Sequence, residues 1–233
     1  MTERMDARIA GWTYLSYIVF AMTSNVLFRR ATSGDDAGQR LSSLARMIST
    51  ARVTVLLDLA QMVCALLLAV TLYRLVKTVN PTLALLAMVF RLGEGLLVSI
   101  PLLGKLELMQ LATTPAAGAT NTLRDIGFAE ELLHRPDNGF SEFCFVVGGF
   151  IFACLFLRGR LIPLWLAWTG VVTIGLQLLC VPLHIAGIVP GQIVNLVWLS
   201  ILLYEVPLGI WLIAGHRYRA GFISESKSDT LEA

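Results

Sequence analysis

Val89-Phe90-Arg91-Leu92-Gly93-Glu94-Gly95-Leu96 places an arginine and a glutamate inside a run, Leu83 to Leu103, that otherwise reads as a membrane span. Arg91 and Glu94 are three apart, so on a helix they share one face. A charge at the bilayer centre costs about 2.5 to 3.5 kcal/mol on insertion scales, which makes such a pair a functional-site hypothesis by default.

The composition around this stretch agrees with a membrane setting. The 233 residues are 56% hydrophobic and 15% charged, and the mean hydropathy is +0.73. A soluble domain of this length is far more polar. The net charge of +2 favours no nucleic-acid partner. Cys64, Cys144, Cys154 and Cys180 fall in apolar runs without a C-x-x-C pair and read as packing residues. His134, His184 and His216 are scattered near span ends, so no metal site is expected, and no cofactor motif, phosphate loop or nucleophile elbow is present.

About twenty apolar residues cross the hydrocarbon, and on that measure six spans are expected: Ile9 to Phe28, Val53 to Val76, Leu83 to Leu106, Phe140 to Leu157, Leu161 to Val181 and Ile193 to Ala214. The fold class is therefore an all-α integral membrane bundle, a single domain over 1–220 followed by a polar tail at 221–233. Arg29-Arg30 after the first run, in place of a small-residue cleavage site, favours an uncleaved span over a signal peptide. Asn80-Pro81 and Arg158-Gly159-Arg160 mark tight turns between spans.

Lys and Arg are divided almost evenly between the two sides, but the short connections at Lys77 and at Arg158 to Arg160 lie with both termini. That puts both termini in the cytoplasm of a cell-membrane protein. Two long connections, Arg29 to Arg52 and Glu107 to Gly139, then face outward. Leu123, Ile126, Leu132 and Leu133 recur near helical spacing in Asn121 to His134, so the second is expected to carry a helix lying on the membrane or capping the bundle. Arg40, Leu41, Leu44, Ala45 and Ile48 suggest a shorter one in the first. These loops are also the expected contact surface for any protein partner.

Three stretches carry a resemblance: Ala7-Arg-Ile-Ala-Gly11, Asn80-Pro-Thr-Leu-Ala-Leu-Leu-Ala87 running into Phe90-Arg91-Leu92, and Glu205 ahead of Ile210-Trp-Leu-Ile213. Over residues 7 to 215 the chain resembles the bacterial membrane-protein family catalogued as domain of unknown function 4386. The resemblance implies a compact multi-span fold and no particular reaction. The Arg-rich first outer loop departs from the family's usual pattern.

Placed by depth, the polar residues crowd the outer half of the spans. Asn25, Asp58, Gln61, Glu142, Gln177 and Asn195 lie there, with Arg91, Glu94 and Glu205 near mid-depth. Asp58 and Gln61 share a face, as do Asn195, Trp198, Leu202 and Glu205, and as do Tyr14, Ile18, Ala21 and Asn25. This pattern predicts an outward-facing polar pocket with Arg91 and Glu205 at its floor. Trp198, Tyr14 and Ile18 suit it to a lipophilic small molecule or a membrane lipid. Four acids, Asp58, Glu94, Glu142 and Glu205, share one evident intramembrane cation, Arg91, with Asp58 or Glu205 as its expected partner. At least one remaining carboxyl is then expected to hold a proton.

These residues favour a carboxylate acid-base enzyme of cyclase or isomerase type, acting on a lipophilic and terpenoid-like substrate, with Asp58, Glu94, Glu205 and Arg91 as its catalytic group. The competing readings are a small proton-coupled transporter and a non-catalytic membrane subunit or sensor. In the last, Arg91 and its acid are an interhelical clamp, and the amides are hydrogen-bond glue.

Overall fold

The computed structural model describes residues 2–114, 125–131 and 139–214. Among the described residues every regular element is helical: α1 (Thr2–Ala31), α2 (Ala37–Arg46), α3 (Ile48–Val76), α4 (Pro81–Leu97), α5 (Ser99–Thr113), α6 (125–131), α7 (Phe140–Arg158), α8 (Leu164–Ile185) and α9 (Gly191–Ala214).

Among the described residues, five stretches are long and apolar enough to cross a membrane: α3, the α4–α5 run Pro81–Thr113, α7, α8 and α9. The chain is a multi-pass membrane protein. Of the six expected spans, the last five meet this measure. The run Ile9 to Phe28 lies within α1, which is long but diluted by Thr13, Tyr14, Ser16, Tyr17, Thr23, Ser24 and Asn25.

α1, α3, α4, α7, α8 and α9 close into a ring in chain order, with α9 returning to pack on α1. Adjacent helices run antiparallel. Asp6 pairs with Arg74 while Ser24 bonds Asp58 across α1 and α3, and Gly170 of α8 lies against the Tyr204 ring of α9. Small residues set the close approaches, as membrane bundles require where packing rather than water drives association. A Cβ at Gly11 would fall 2.6 Å from the Gly209 carbonyl oxygen, so α1 and α9 cross almost backbone to backbone. Leu, Val and Ile point outward from the ring, as at Leu179, Leu196 and Leu203.

Local chemistry explains the helix boundaries. The Asn80 side chain accepts from the Leu83 amide at 3.0 Å and Pro81 opens α4. Arg160 adopts φ 48° in the expected turn between α7 and α8. Between α4 and α5 the helix breaks at Val98, three residues ahead of Pro101, whose missing N–H cannot bond the Leu97 carbonyl. The third expected span thus runs past Leu106 to Thr113 with a break inside it.

α2 fulfils the expectation of a short helix in the first connection, with Asp36 capping it through the Gln39 amide at 2.7 Å. Of the helix expected over Asn121 to His134, residues 125–131 are helical; the remainder, like the tail 221–233, lies outside the described residues. Ala129 packs with Ala31, Leu44, Ala51, Leu108 and Met109 in a small second core, so α2 and α6 close one end of the ring.

Candidate functional site

The face of α4 that meets the ring interior reads Ala84, Ala87, Arg91, Glu94, at helical spacings of three, four and three. Two alanines thin the helix below Arg91, and Gly148 on α7 leaves room for its stem. A Cβ at residue 148 would fall 2.9 Å from both the Ala87 carbonyl oxygen and Arg91 Cγ. Arg91 is 1% exposed and Glu94 2%. Arg91 Nη1 lies 2.8 Å from Glu94 Oε2, an ion pair between residues on the same helix face.

Three neighbouring helices complete the setting. From α1, Tyr17 donates its hydroxyl to Glu94 Oε1 at 2.8 Å. From α7, the Phe145 ring lies 4.6 Å from the guanidinium carbon, where a desolvated cation–π contact contributes up to about 2 kcal/mol. From α9, Glu205 accepts a hydrogen bond from the Tyr14 hydroxyl at 3.1 Å. Glu205 is 3% exposed and lies within electrostatic reach of Arg91 and Glu94. Five side chains from α1, α4 and α9 therefore meet in one buried cluster.

The expected partner of Arg91 is corrected. Neither Asp58 nor Glu205 forms the ion pair, because Glu94 stands one turn away on the same helix. Asp58 belongs to a second cluster nearer the capped end. There Lys105 Nζ lies 2.6 Å from Asp58 Oδ2, Ser24 donates to Asp58 Oδ1, and the Phe28 ring lies 4.9 Å from Lys105 Nζ. The single expected pocket thus separates into two buried groups, both reached from one face of α1 through Tyr14, Tyr17 and Ser24.

The acid excess narrows accordingly. Lys105 pairs Asp58, and Glu142 sits in the first turn of α7, where a carboxylate meets the positive end of the helix dipole. That leaves two acids beside Arg91. Glu205 makes no ion pair among the described residues.

The other expected pocket residues distribute differently. Asn25 and Asn195 are exposed and do not line the interior, since the inward stripes run through Tyr17 and Ser24 on α1 and through Ile201, Tyr204 and Glu205 on α9. Gln61 is half-buried on the Asp58 face of α3. Gln177 is 1% exposed, and Trp198 packs its ring 5.2 Å from Phe145. The near-complete burial of Arg91, Glu94 and Glu205 also corrects the expectation of an open, outward-facing pocket: the cluster is sealed in this conformation. Among the described residues no three His, Cys, Asp or Glu side chains gather to hold a metal ion.

Tyr17, Ser24 and Lys105 were the residues hidden from sequence reasoning. Tyr17 stood three residues from Tyr14, the spacing that shares a helix face, and Lys105 stood between Leu103 and Leu106 inside the apolar run.

A family model matches residues 9–215, which takes in every member of both clusters. The chain belongs to the family described as Domain of unknown function (DUF4386). No curated protein and no solved structure matches this DUF4386 chain. The chemistry of the DUF4386 site is therefore argued from its own residues.

Proposed function

We propose that this DUF4386 protein is a cell-membrane enzyme that cyclises or isomerises a lipophilic small molecule by acid-base chemistry in the interior of the ring. α1 serves as a sixth, more polar span, and both termini face the cytoplasm. The observation that carries the reading is Glu205: buried, bonded to Tyr14, and without the counter-ion that Glu94 has in Arg91. A carboxyl so placed is the member of the cluster left to deliver a proton.

In the proposed reaction Glu205 protonates an alkene or epoxide oxygen of the substrate. The carbocation rearranges or closes a ring against the Phe145 and Trp198 faces. Glu94, held by Arg91 and Tyr17, removes a proton from carbon, and exchange with water as the ring parts to release product returns Glu94 and Glu205 to their starting states. Atoms and electrons balance without an electron carrier. Arg91 fixes which carboxyl is the acid and which the base. Asp58, paired to Lys105, is left out of the reacting group and holds α1 to α3 and α5. Access needs the ring to part. Pro207, inside α9 and two residues from Glu205, leaves the Leu203 carbonyl without its helical partner and makes that wall deformable.

The test is product analysis of membranes supplied with prenylated and epoxidised substrates, comparing wild type with Glu205→Gln and Glu94→Gln. Loss of product in both variants supports the mechanism; undiminished turnover in both overturns it.

One observation favours a second reading, a proton-coupled carrier. Ser24, Tyr17 and Tyr14 string the two clusters along one face of α1, and the break at Val98 interrupts the span that bears Arg91. Proteoliposome flux of a lipophilic amine that responds to a pH gradient would establish that reading in place of the enzyme.

A further inference from the structure

The side chains with buried polar atoms that lack a hydrogen-bond partner, among the described residues, all face one sector of the ring. They are Arg91 and Glu94 on α4, Gln177 on α8 and Trp198 on α9. Arg91 Nη1 faces Glu94 Oε2 at 2.8 Å, whereas its Nε and Nη2 have no hydrogen-bond partner. Gln177 leaves both amide atoms unbonded, and Trp198 its indole N–H. Native interiors pair the great majority of such groups, because an unmet buried donor carries its full desolvation penalty.

These groups are neighbours. The Phe145 ring lies 4.6 Å from the Arg91 guanidinium carbon and 5.2 Å from the Trp198 ring, so one aromatic joins the two. Gly170 of α8 meets Tyr204 of α9. Seven residues further along α8, about 10 Å at the helical rise, and six back along antiparallel α9, about 9 Å, bring Gln177 to the level of Trp198.

The unmet inventory is weighted toward donors: the N–H groups of Arg91 Nε and Nη2, an indole N–H and an amide NH2, against the Gln177 carbonyl. A partner that satisfies them presents oxygen acceptors. The same cluster already holds two carboxyls for one guanidinium, so a carboxylate or phosphate would add negative charge where none remains to be neutralised.

The geometry points to a binding site for a neutral, lipophilic carbonyl compound, its oxygen held by Arg91, Trp198 and Gln177. This rests on the acid-base reading only in sharing its chamber: it names the class of substrate that chamber takes.

Equilibrium dialysis of the full chain in lipid nanodiscs tests it, with β-ionone as the neutral enone, its deoxygenated hydrocarbon counterpart, and a carboxylate of the same carbon skeleton. The enone is expected to be retained roughly tenfold over either analogue, the worth of one or two buried hydrogen bonds. Trp198→Phe and Gln177→Leu, which keep shape and remove donors, are expected each to lower enone retention several-fold with hydrocarbon retention unchanged. Thermal unfolding of both variants confirms that they fold. Equal retention of the three probes, or folded variants that bind the enone like wild type, overturns the inference. Glu205→Gln keeps enone binding under this inference. Binding without turnover in wild type would therefore sink the acid-base reading alone, and turnover without discrimination among the probes would sink this one alone.

Discussion

The Tyr14 hydroxyl on α1 donates to Glu205 Oε1 on α9 at 3.1 Å, across 191 positions of sequence. The bond closes the ring at the seam where Gly11 and Gly209 let the two backbones meet. It also ties the more polar α1 to Glu205, a buried acid without an ion pair among the described residues. Tyr14→Phe removes only that bond, and its expected cost is about 0.6 to 1.7 kcal/mol, the range for interhelical hydrogen bonds in membranes. Thermal unfolding in nanodiscs of Tyr14→Phe, Glu205→Gln and the double variant checks it. The double variant should lose less than the sum of the two singles.

Arg91 and Glu94 should behave as a unit. Arg91→Met alone leaves a buried carboxylate without its cation and is expected to destabilise the fold by about 3 to 5 kcal/mol. Arg91→Met combined with Glu94→Gln removes both charges and should recover most of that loss. Chemical unfolding of the three variants reads the difference. A double variant as unstable as Arg91→Met would mean that the guanidinium matters for contacts other than the pair.

Gly148→Ala places a methyl 2.9 Å from the Ala87 carbonyl oxygen and from Arg91 Cγ, which forces α7 away from α4. The expected cost is about 1 to 3 kcal/mol, as for overpacked cores. Gly104→Ala, where an added Cβ meets nothing within 4 Å, serves as the control and should be neutral or mildly stabilising. Melting temperatures of the two variants should separate clearly.

The Asp58 and Lys105 pair predicts rescue by exchange. Asp58→Asn and Lys105→Met should each destabilise the contact of α1 and α3 with α5, whereas Asp58→Lys with Lys105→Asp should recover part of the loss. The readout is the yield of monodisperse protein together with its unfolding midpoint. Ser24 and Phe28, which also contact Lys105, limit the recovery because their geometry suits an ammonium at that position.

Much of this arrangement was legible in the chain because apolar runs and turn chemistry act locally. Asn80-Pro81 and Arg158-Gly159-Arg160 fixed two helix boundaries, and Arg91 with Glu94 announced a buried charged face. What misled was phase and depth. On α1 the stripe through Tyr14, Ile18 and Asn25 competes with one through Tyr14, Tyr17 and Ser24, and only the positions of α3, α4 and α9 decide between them. Lys105 reads as a charge at the outer end of the third span until the helix is seen to continue to Thr113. Its partner Asp58 is 47 positions away, a distance no local pattern spans. The first expected span is less apolar than the other five for a related reason: among the hydroxyl groups that dilute α1 are those that reach the interior acids.

The most direct measurement is deuterium incorporation. Membranes in D2O are given a prenylated alkene, whose protonated carbon keeps its label, and the product is analysed by mass spectrometry for wild type, Glu205→Gln and Glu205→Asp. The account predicts one solvent deuteron in the rearranged product for wild type, none with Glu205→Gln, and partial return with Glu205→Asp. Labelled product formed equally well by Glu205→Gln would contradict it.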